Sequence, residues 1–148
     1  MADIHIADFY KDVARIFAQL YLSFPRKITL FVEDISGPDS PDEFGLHCTR
    51  FQSCFSTMIW LAETGYIHYE STIRQEALDQ VTLSHKGFTA LYSRLDMEEL
   101  SGIAVDADKE LPPSVQETYA SSIYLVRQAL KSGSSHAIEQ VVQTLLRK

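Results

Sequence analysis

Two histidines and two cysteines are the side chains of this sequence best suited to binding a metal ion. His47 and Cys48 are adjacent, and Cys54 and His68 follow at wider spacing. Zinc sites usually combine close pairs, such as two cysteines separated by two residues followed by two histidines at similarly short spacing. That spacing is absent, and a thiol within an apolar helix is usually a packing residue. The sequence therefore predicts no metal site and no cofactor.

Nucleophilic catalysis would need a serine or cysteine next to a base that is itself held by a third group. The sequence has no Gly-x-Ser-x-Gly turn, and its six glycines are spread over separate turns rather than gathered into a phosphate-binding loop. The five histidines lie on separate predicted elements. We therefore predict no catalytic residues and no enzymatic activity. A site assembled from side chains that are distant in sequence remains the alternative.

The stretch from residue 51 to residue 95 has the clearest pattern of structural elements. Apolar residues at helical spacing predict a helix over residues 48–64, and Gly65 is suited to ending it. Alternating side chains then predict a strand over residues 66–70, a polar tip over 72–79 and a return strand over 80–83. Ser84 is a typical N-cap for the following helix.

Upstream of this stretch, the sequence predicts a helix, a short strand and a brief second helix. Apolar residues predict the first helix over residues 5–23, and Pro25 ends it. Residues 28–30 alternate as a strand, with Val32 continuing the pattern. Ser40, Pro41 and Glu43 resemble a capping box that begins a short helix.

Two short motifs in the central stretch resemble those of the winged helix-turn-helix superfamily. Residues 61–67 (Leu-Ala-Glu-Thr-Gly-Tyr-Ile) resemble the end of a recognition helix that runs into the wing. Residues 81–87 (Val-Thr-Leu-Ser-His-Lys-Gly) are similar to the Leu-Thr-x-x-Gly turn that follows the wing in bacterial regulators of the MarR and PadR kind. The resemblance implies a mainly helical fold with a small β-hairpin, a winged-helix domain over residues 1–95, and DNA binding by a small regulator.

If the resemblance holds for function, the helix over residues 48–64 reads the major groove and the hairpin touches the DNA backbone. The residues that it implies for DNA contact are Arg50, Gln52, Ser53, Ser56, Thr57, Arg74 and Lys86. Only one of the helix positions is a cation, and residues 1–95 contain 8 Lys and Arg against 12 Asp and Glu. A DNA-binding surface is normally basic. The alternative is therefore a protein-interaction or assembly module that uses the same scaffold without binding DNA.

The remaining residues predict a connector and a helical pair. Residues 96–113 are acidic and end in two prolines, and we interpret them as a solvated connector because Asp106 and Asp108 lack the other residues of a calcium-binding loop. Residues 114–117 (Ser-Val-Gln-Glu) form a capping box that predicts a helix to about residue 131. Gly133 ends this helix, and Ser135 caps a last helix that continues to residue 148. The helical pair therefore covers residues 114–148.

Apolar stripes on the first and the last two helices must be covered, either within the chain or by a second copy. We expect a homodimer, with an interface formed by Phe9, Val13, Ile123, Val126, Ile138, Val142 and Leu145. The chain begins without a basic and apolar leader and contains no apolar run of about 20 residues. We therefore expect a cytoplasmic protein that makes no membrane contact and keeps both cysteines reduced.

Overall fold

The computed structural model describes residues 3–93 and 121–147 of the chain. In these two ranges the protein is mainly helical with a small antiparallel sheet, as the sequence predicts. The helices are α1 (Ile4–Ser23), α2 (Val32–Ser36), α3 (Thr49–Glu63), α4 (His85–Tyr92), α5 (Ser122–Ser132) and α6 (Ser135–Leu146). The strands are β1 (Ile28–Phe31), β2 (Ile67–His68), β3 (Ser71–Ile73) and β4 (Ala77–Leu83). Within the described residues, none of the helices combines the length and the apolarity needed to cross a membrane.

Helix α1 lies at the centre of the packing. Val13, Ile16, Phe17 and Leu20 recur at helical spacing and are completely buried. Burying each such side chain contributes about 1.5–3 kcal/mol to the stability of the fold. Helix α1 buries them against several neighbours rather than one. These neighbours include α3, α5 and α6. The prediction of a first helix over residues 5–23 is confirmed.

The strands form a sheet in the order β1-β4-β2, and β3 also pairs with β4. Ile67 pairs with Leu83 and Ile73 pairs with Ala77, so β2 and β3 meet opposite ends of β4. Between these two pairings Gln80 has a positive φ of 55°. An extra residue in that conformation is typical of a bulge, which separates the two short pairings along one strand.

The hairpin has a shorter tip than the sequence predicts. Strand β3 and the start of β4 occupy most of residues 72–79, so the predicted long tip is wrong. Residues 74–76 join the two strands. Arg74 and Gln75 have φ values of 49° and 59°, and the Glu76 N–H donates to the Ile73 carbonyl at 2.8 Å. Arg74 and Gln75 are thus the central residues of a turn with two positive φ angles, and such positions usually hold Gly or Asn. Neither glycine nor asparagine occurs at positions 74 and 75, so this turn could not be recognised from the sequence.

The segment before α3 also differs from the prediction. The five-residue helix α2 was not predicted, and no helix begins at Ser40, where the capping box is located. Instead the Asp42 carboxylate accepts the N–H groups of Phe44 and Leu46, both at 2.9 Å. Such bonds from a side chain to nearby backbone compete with helix formation. Residues 37–48 therefore form a loop.

Helices α5 and α6 begin at serine caps. The hydroxyl of Ser121 accepts the N–H of the third residue along, and Ser134 does the same for α6. Gly133 ends α5 with a positive φ of 70°, as predicted. The predicted cap Ser135 is instead the first helical residue of α6, so that assignment is wrong by one position. The acidic connector over residues 96–113 and the capping box over residues 114–117 lie outside the described residues.

The apolar stripes on which the predicted dimer interface rests are covered by the chain itself. Helices α1, α5 and α6 share one core with the sheet and α3. The half-buried Phe9 packs against Trp60. The other six side chains are at most 5% exposed, and they are Val13, Ile123, Val126, Ile138, Val142 and Leu145. The homodimer stays a prediction, but it would need a surface other than these stripes.

Candidate interaction face around helix α3

Helix α3 buries one side in the core and presents the opposite side to solvent. Phe51, Cys54, Met58 and Leu61 are buried, which places all four on one face of a helix. We use the term outer face of α3 for the exposed residues on the opposite side, which are Thr49, Gln52, Ser56, Trp60 and Glu63. This face is neutral apart from Glu63.

Arg50 binds helix α1 and does not extend from the outer face. Its Nη1 and Nη2 atoms donate to the two carboxylate oxygens of Asp12 at 2.7 and 2.6 Å, and its Nε lies 3.5 Å from Asp8. Asp12 is 1% exposed, and its hydrogen bond to Arg50 raises the arginine's pKa above its ordinary value. Bidentate pairs of this kind are short and strong. The guanidinium therefore holds α3 against α1.

The uncharged positions predicted for DNA contact divide between the two sides of α3. Gln52 and Ser56 lie on the outer face, and Ser53 is half-buried beside it. Thr57 is 5% exposed, and its hydroxyl donates to the Ser53 carbonyl at 2.9 Å. The Gln52 amide donates to the His47 carbonyl at 2.7 Å. Thr57 is thus a buried packing residue, whereas Gln52 and Ser56 are accessible to a partner.

The two remaining cations of the predicted set have different surroundings. Arg74 is exposed at the turn between β3 and β4 and forms no ion pair with any residue that the structure describes. Lys86 Nζ lies 4.3 Å from the centre of the Tyr66 ring and donates to the Thr64 carbonyl at 3.2 Å. A cation over an aromatic ring is attracted by its electron-rich face. Arg74 is therefore the cation of this set that is most available to a ligand.

An aromatic cluster adjoins the outer face of α3. Trp60 is 38% exposed. Its ring meets Phe9 of α1 edge to face, with centroids 5.1 Å apart, and Phe9 meets Tyr10 in the same way at 5.3 Å. Partly exposed aromatic side chains that are already held by neighbours are typical anchors of protein interfaces. The sequence contains a single tryptophan, but its spacing did not distinguish an anchor from a packing residue.

Sequence reasoning missed a second polar constellation beside α3. His47 contacts the carboxylates of Asp39 and Glu76 and stacks on the Phe51 ring. These residues come from the loop before α3, the hairpin and α3 itself. The sequence signal was a histidine next to a possible metal ligand, Cys48. Asp39 lies eight positions before the histidine and Glu76 lies 29 positions after it, and no motif links the three residues. Within the part of the chain that the structure describes, no group of His, Cys, Asp and Glu side chains is arranged to hold a metal ion.

The two cysteines are expected to react with thiol reagents at very different rates. Cys48 is exposed and Cys54 is buried. Burial, together with the nearby Asp12 carboxylate, raises the pKa of Cys54 to about 12, so roughly one in ten thousand molecules carries the reactive thiolate at pH 8. With an aromatic disulfide reagent at pH 8 we expect one fast thiol per chain and a second only after unfolding in urea. In Cys48→Ser the fast phase should disappear. Two fast thiols in the folded protein would contradict the described burial.

Comparisons of the chain with models of protein families, with curated proteins and with solved structures gave no match.

Proposed function

We propose that this protein is a non-enzymatic protein-binding module on a winged-helix scaffold, with the outer face of α3 as its docking surface. The observation that carries the proposal is that Arg50 pairs with carboxylates of helix α1. Its guanidinium is bound to Asp12 and Asp8, which leaves the outer face of α3 without a cation, neutral apart from Glu63, and beside a partly exposed tryptophan. A surface of this composition suits a protein partner better than a phosphate backbone.

The order of α3, hairpin and α4 supports the winged-helix part of the proposal. It agrees with the resemblance found in residues 61–67 and 81–87. The scaffold departs from a helix-turn-helix at one place, because residues 37–48 separate α2 from α3, whereas the two helices of that motif are usually joined by about 3–4 residues. That loop changes how α3 is presented, and it adds surface beside the outer face.

DNA binding is the second candidate function, and exposed Arg74 at the hairpin tip favours it. A wing that follows the DNA backbone needs several cations, because each neutralised phosphate releases counterions and adds to the affinity. Glu70 and Glu76 are exposed on the same hairpin, and carboxylates repel phosphate. One arginine beside two exposed carboxylates is a weak basis for binding a polyanion.

The expected partner is a protein with an apolar pocket and a neutral or basic rim. Trp60 and Phe9 would supply the apolar anchor, since desolvated aromatic residues contribute most of the energy in many interfaces. Glu63 on the outer face and Glu70 on the hairpin would favour basic groups at the rim.

Site-specific photocrosslinking in the cells that produce the protein would test the proposal. A photoreactive amino acid at Ser56, on the outer face, should give a defined crosslinked species, whereas the same group at exposed Lys131 of α5 should not. Trp60→Ala should weaken this association about tenfold or more, because it removes the anchor. A melting curve of Trp60→Ala should show that the variant is folded. The mass of the species would distinguish a homodimer from a complex with another protein.

Two results would contradict the proposal. The first is equal crosslinking from Ser56 and Lys131, with no effect of Trp60→Ala. The second is binding of labelled duplex DNA by the purified chain that weakens with salt and is lost in Arg74→Ala. That result would favour the second candidate, since removal of a phosphate-contacting cation weakens binding to nucleic acid.

A further inference from the structure

His47 joins segments that are far apart in the sequence. Its Nδ1 lies 3.0 Å from Oδ2 of Asp39 in the loop before α3, and its Nε2 lies 3.1 Å from Oε1 of Glu76 in the hairpin. The imidazole also stacks on Phe51 of α3, with ring centres 3.8 Å apart and an interplanar angle of 15°. One imidazole therefore connects the loop, the hairpin and α3.

The protonation state of His47 decides whether both of these contacts can be hydrogen bonds. A neutral imidazole has one N–H donor and one lone pair, whereas the protonated ring donates from both nitrogens. A carboxylate accepts and cannot donate. With a carboxylate at each nitrogen, the neutral ring can satisfy only one of them, and the other faces a lone pair. The arrangement is complete only when His47 carries a positive charge.

We propose that Asp39, His47 and Glu76 form a pH-sensitive latch that fastens the hairpin to the loop before α3 while His47 is protonated. When the ring loses its proton, Glu76 is the partner that separates. Asp39 is held in place because its Oδ2 also accepts the Cys48 N–H at 2.9 Å. Glu76 is also the more exposed of the two, at 47% against 20% for Asp39, so water can replace the histidine.

The surroundings of His47 favour its charged form. The loop contributes Asp39 and the hairpin contributes Glu76, while α3 contributes the uncharged Phe51 ring and Gln52 amide. Among the described residues no lysine or arginine pairs with either carboxylate. The hydrogen bond to Glu76, followed by that to Asp39, raises the pKa of His47 above its ordinary value, against an opposing effect of partial burial. The Cys48 N–H lowers the pKa of Asp39.

The direction of the pH dependence follows from the raised pKa. A group with a higher pKa in the folded state stabilises the fold fully below its unfolded pKa, which is about 6.5 for histidine. That stabilisation is lost as the pH rises through the higher folded value. The latch is therefore closed in mildly acidic solution and opens on the alkaline side of the ordinary histidine pKa.

Proton NMR titration of the histidine rings in the full chain tests whether Asp39 and Glu76 favour the protonated form of His47. We expect the His47 signal, assigned by its loss in His47→Gln, to titrate with a midpoint above that of the urea-unfolded chain. Glu76→Gln should lower this midpoint because it removes the larger of the two favourable contacts. His136→Gln, at an exposed site on α6, is the matched control and should leave the His47 midpoint unchanged. An unchanged midpoint in Glu76→Gln would overturn the latch.

Amide hydrogen exchange tests whether the latch holds the hairpin. The N–H groups of Glu76 and Val32 report on this region, since they donate to the Ile73 and Glu76 carbonyls. After correction for intrinsic rates, their protection in the unaltered chain should fall as the pH rises through the folded His47 midpoint found by NMR, which is expected above that of the unfolded chain. In Glu76→Gln this fall should disappear, because a glutamine can pair with neutral histidine. The Ser84 N–H, bonded to the Tyr66 carbonyl, is the internal control. Protection of Glu76 and Val32 that is independent of pH in the unaltered chain would overturn the proposal.

Discussion

Replacing Arg50 by alanine is expected to lower the free energy of unfolding by about 3–5 kcal/mol. The reason is the carboxylate that the change leaves behind. Asp12 is 1% exposed and loses two hydrogen bonds of 2.6 and 2.7 Å, and a buried charge without a partner is strongly destabilising. Since a domain is typically stable by only about 5–15 kcal/mol, the loss should be evident in a urea titration as a large fall in the midpoint.

The neighbouring Asp8 provides the matched control for Arg50→Ala. Its carboxylate lies 3.5 Å from Arg50 Nε and has a half-exposed side chain, so Asp8→Ala should cost less than about 1 kcal/mol. The loss of unfolding free energy in Arg50→Lys should lie between those of Arg50→Ala and Asp8→Ala. An ammonium keeps the charge but cannot bond both carboxylate oxygens in one plane. An Arg50→Ala chain that unfolds at the same urea concentration as the unaltered one would contradict the buried pair.

The same pair affects how a DNA-binding experiment would be interpreted. If Arg50→Ala partly unfolds α3, loss of any binding activity follows without a direct contact between Arg50 and the ligand. Arg74→Ala is the more informative change, since Arg74 is exposed at the hairpin turn and forms no ion pair with the described residues. A DNA-binding defect in Arg74→Ala with an unchanged urea midpoint would indicate contact with the nucleic acid.

Local patterns in the sequence were sufficient to predict α1 and α3 with their ends, but not the start of α5, which begins at Ser122 and not at the capping box over residues 114–117. The apolar spacing of α1 and α3 is set by burial of one helix face, which each segment carries in its own residues. Ser84 and Gly133 were recognised because capping depends on the backbone within one turn. The bounds of these helices agree with the prediction to within about one or two residues.

The polar constellations could not be predicted because each depends on a tertiary contact. Arg50 and Asp12 lie 38 positions apart, and His47 and Glu76 lie 29 apart. One signal was present for the first pair. Asp12 follows Phe9 by one helical turn and precedes Ile16 by another, so it lies in the apolar stripe of α1. A carboxylate in such a position needs a buried partner. No comparable signal marked Asp39 or Glu76.

Gly87→Ala is expected to destabilise the protein by about 1–3 kcal/mol, although alanine is the better helix former. Gly87 is buried in the first turn of α4, where its N–H donates to the Ser84 hydroxyl at 3.0 Å. A Cβ atom at this position would lie less than 3.0 Å from the Tyr66 carbonyl oxygen. That oxygen belongs to the backbone and already accepts the Ser84 N–H, so it cannot turn away as a side chain could. The steric cost should exceed the roughly 1 kcal/mol that alanine gains over glycine in a helix.

Thr89→Ala on the same helix separates these two effects. Thr89 is exposed, so its replacement brings the gain in helix propensity without a clash and should stabilise the protein by at most about 0.5 kcal/mol. Opposite signs for the two variants in urea unfolding would show that glycine is needed at position 87 for the close approach of α4 to the backbone at Tyr66. That approach gives a physical reason for a glycine at position 87. Stabilisation by both variants would mean that α4 lies farther from the Tyr66 backbone than described. Glycine would then not be needed at position 87.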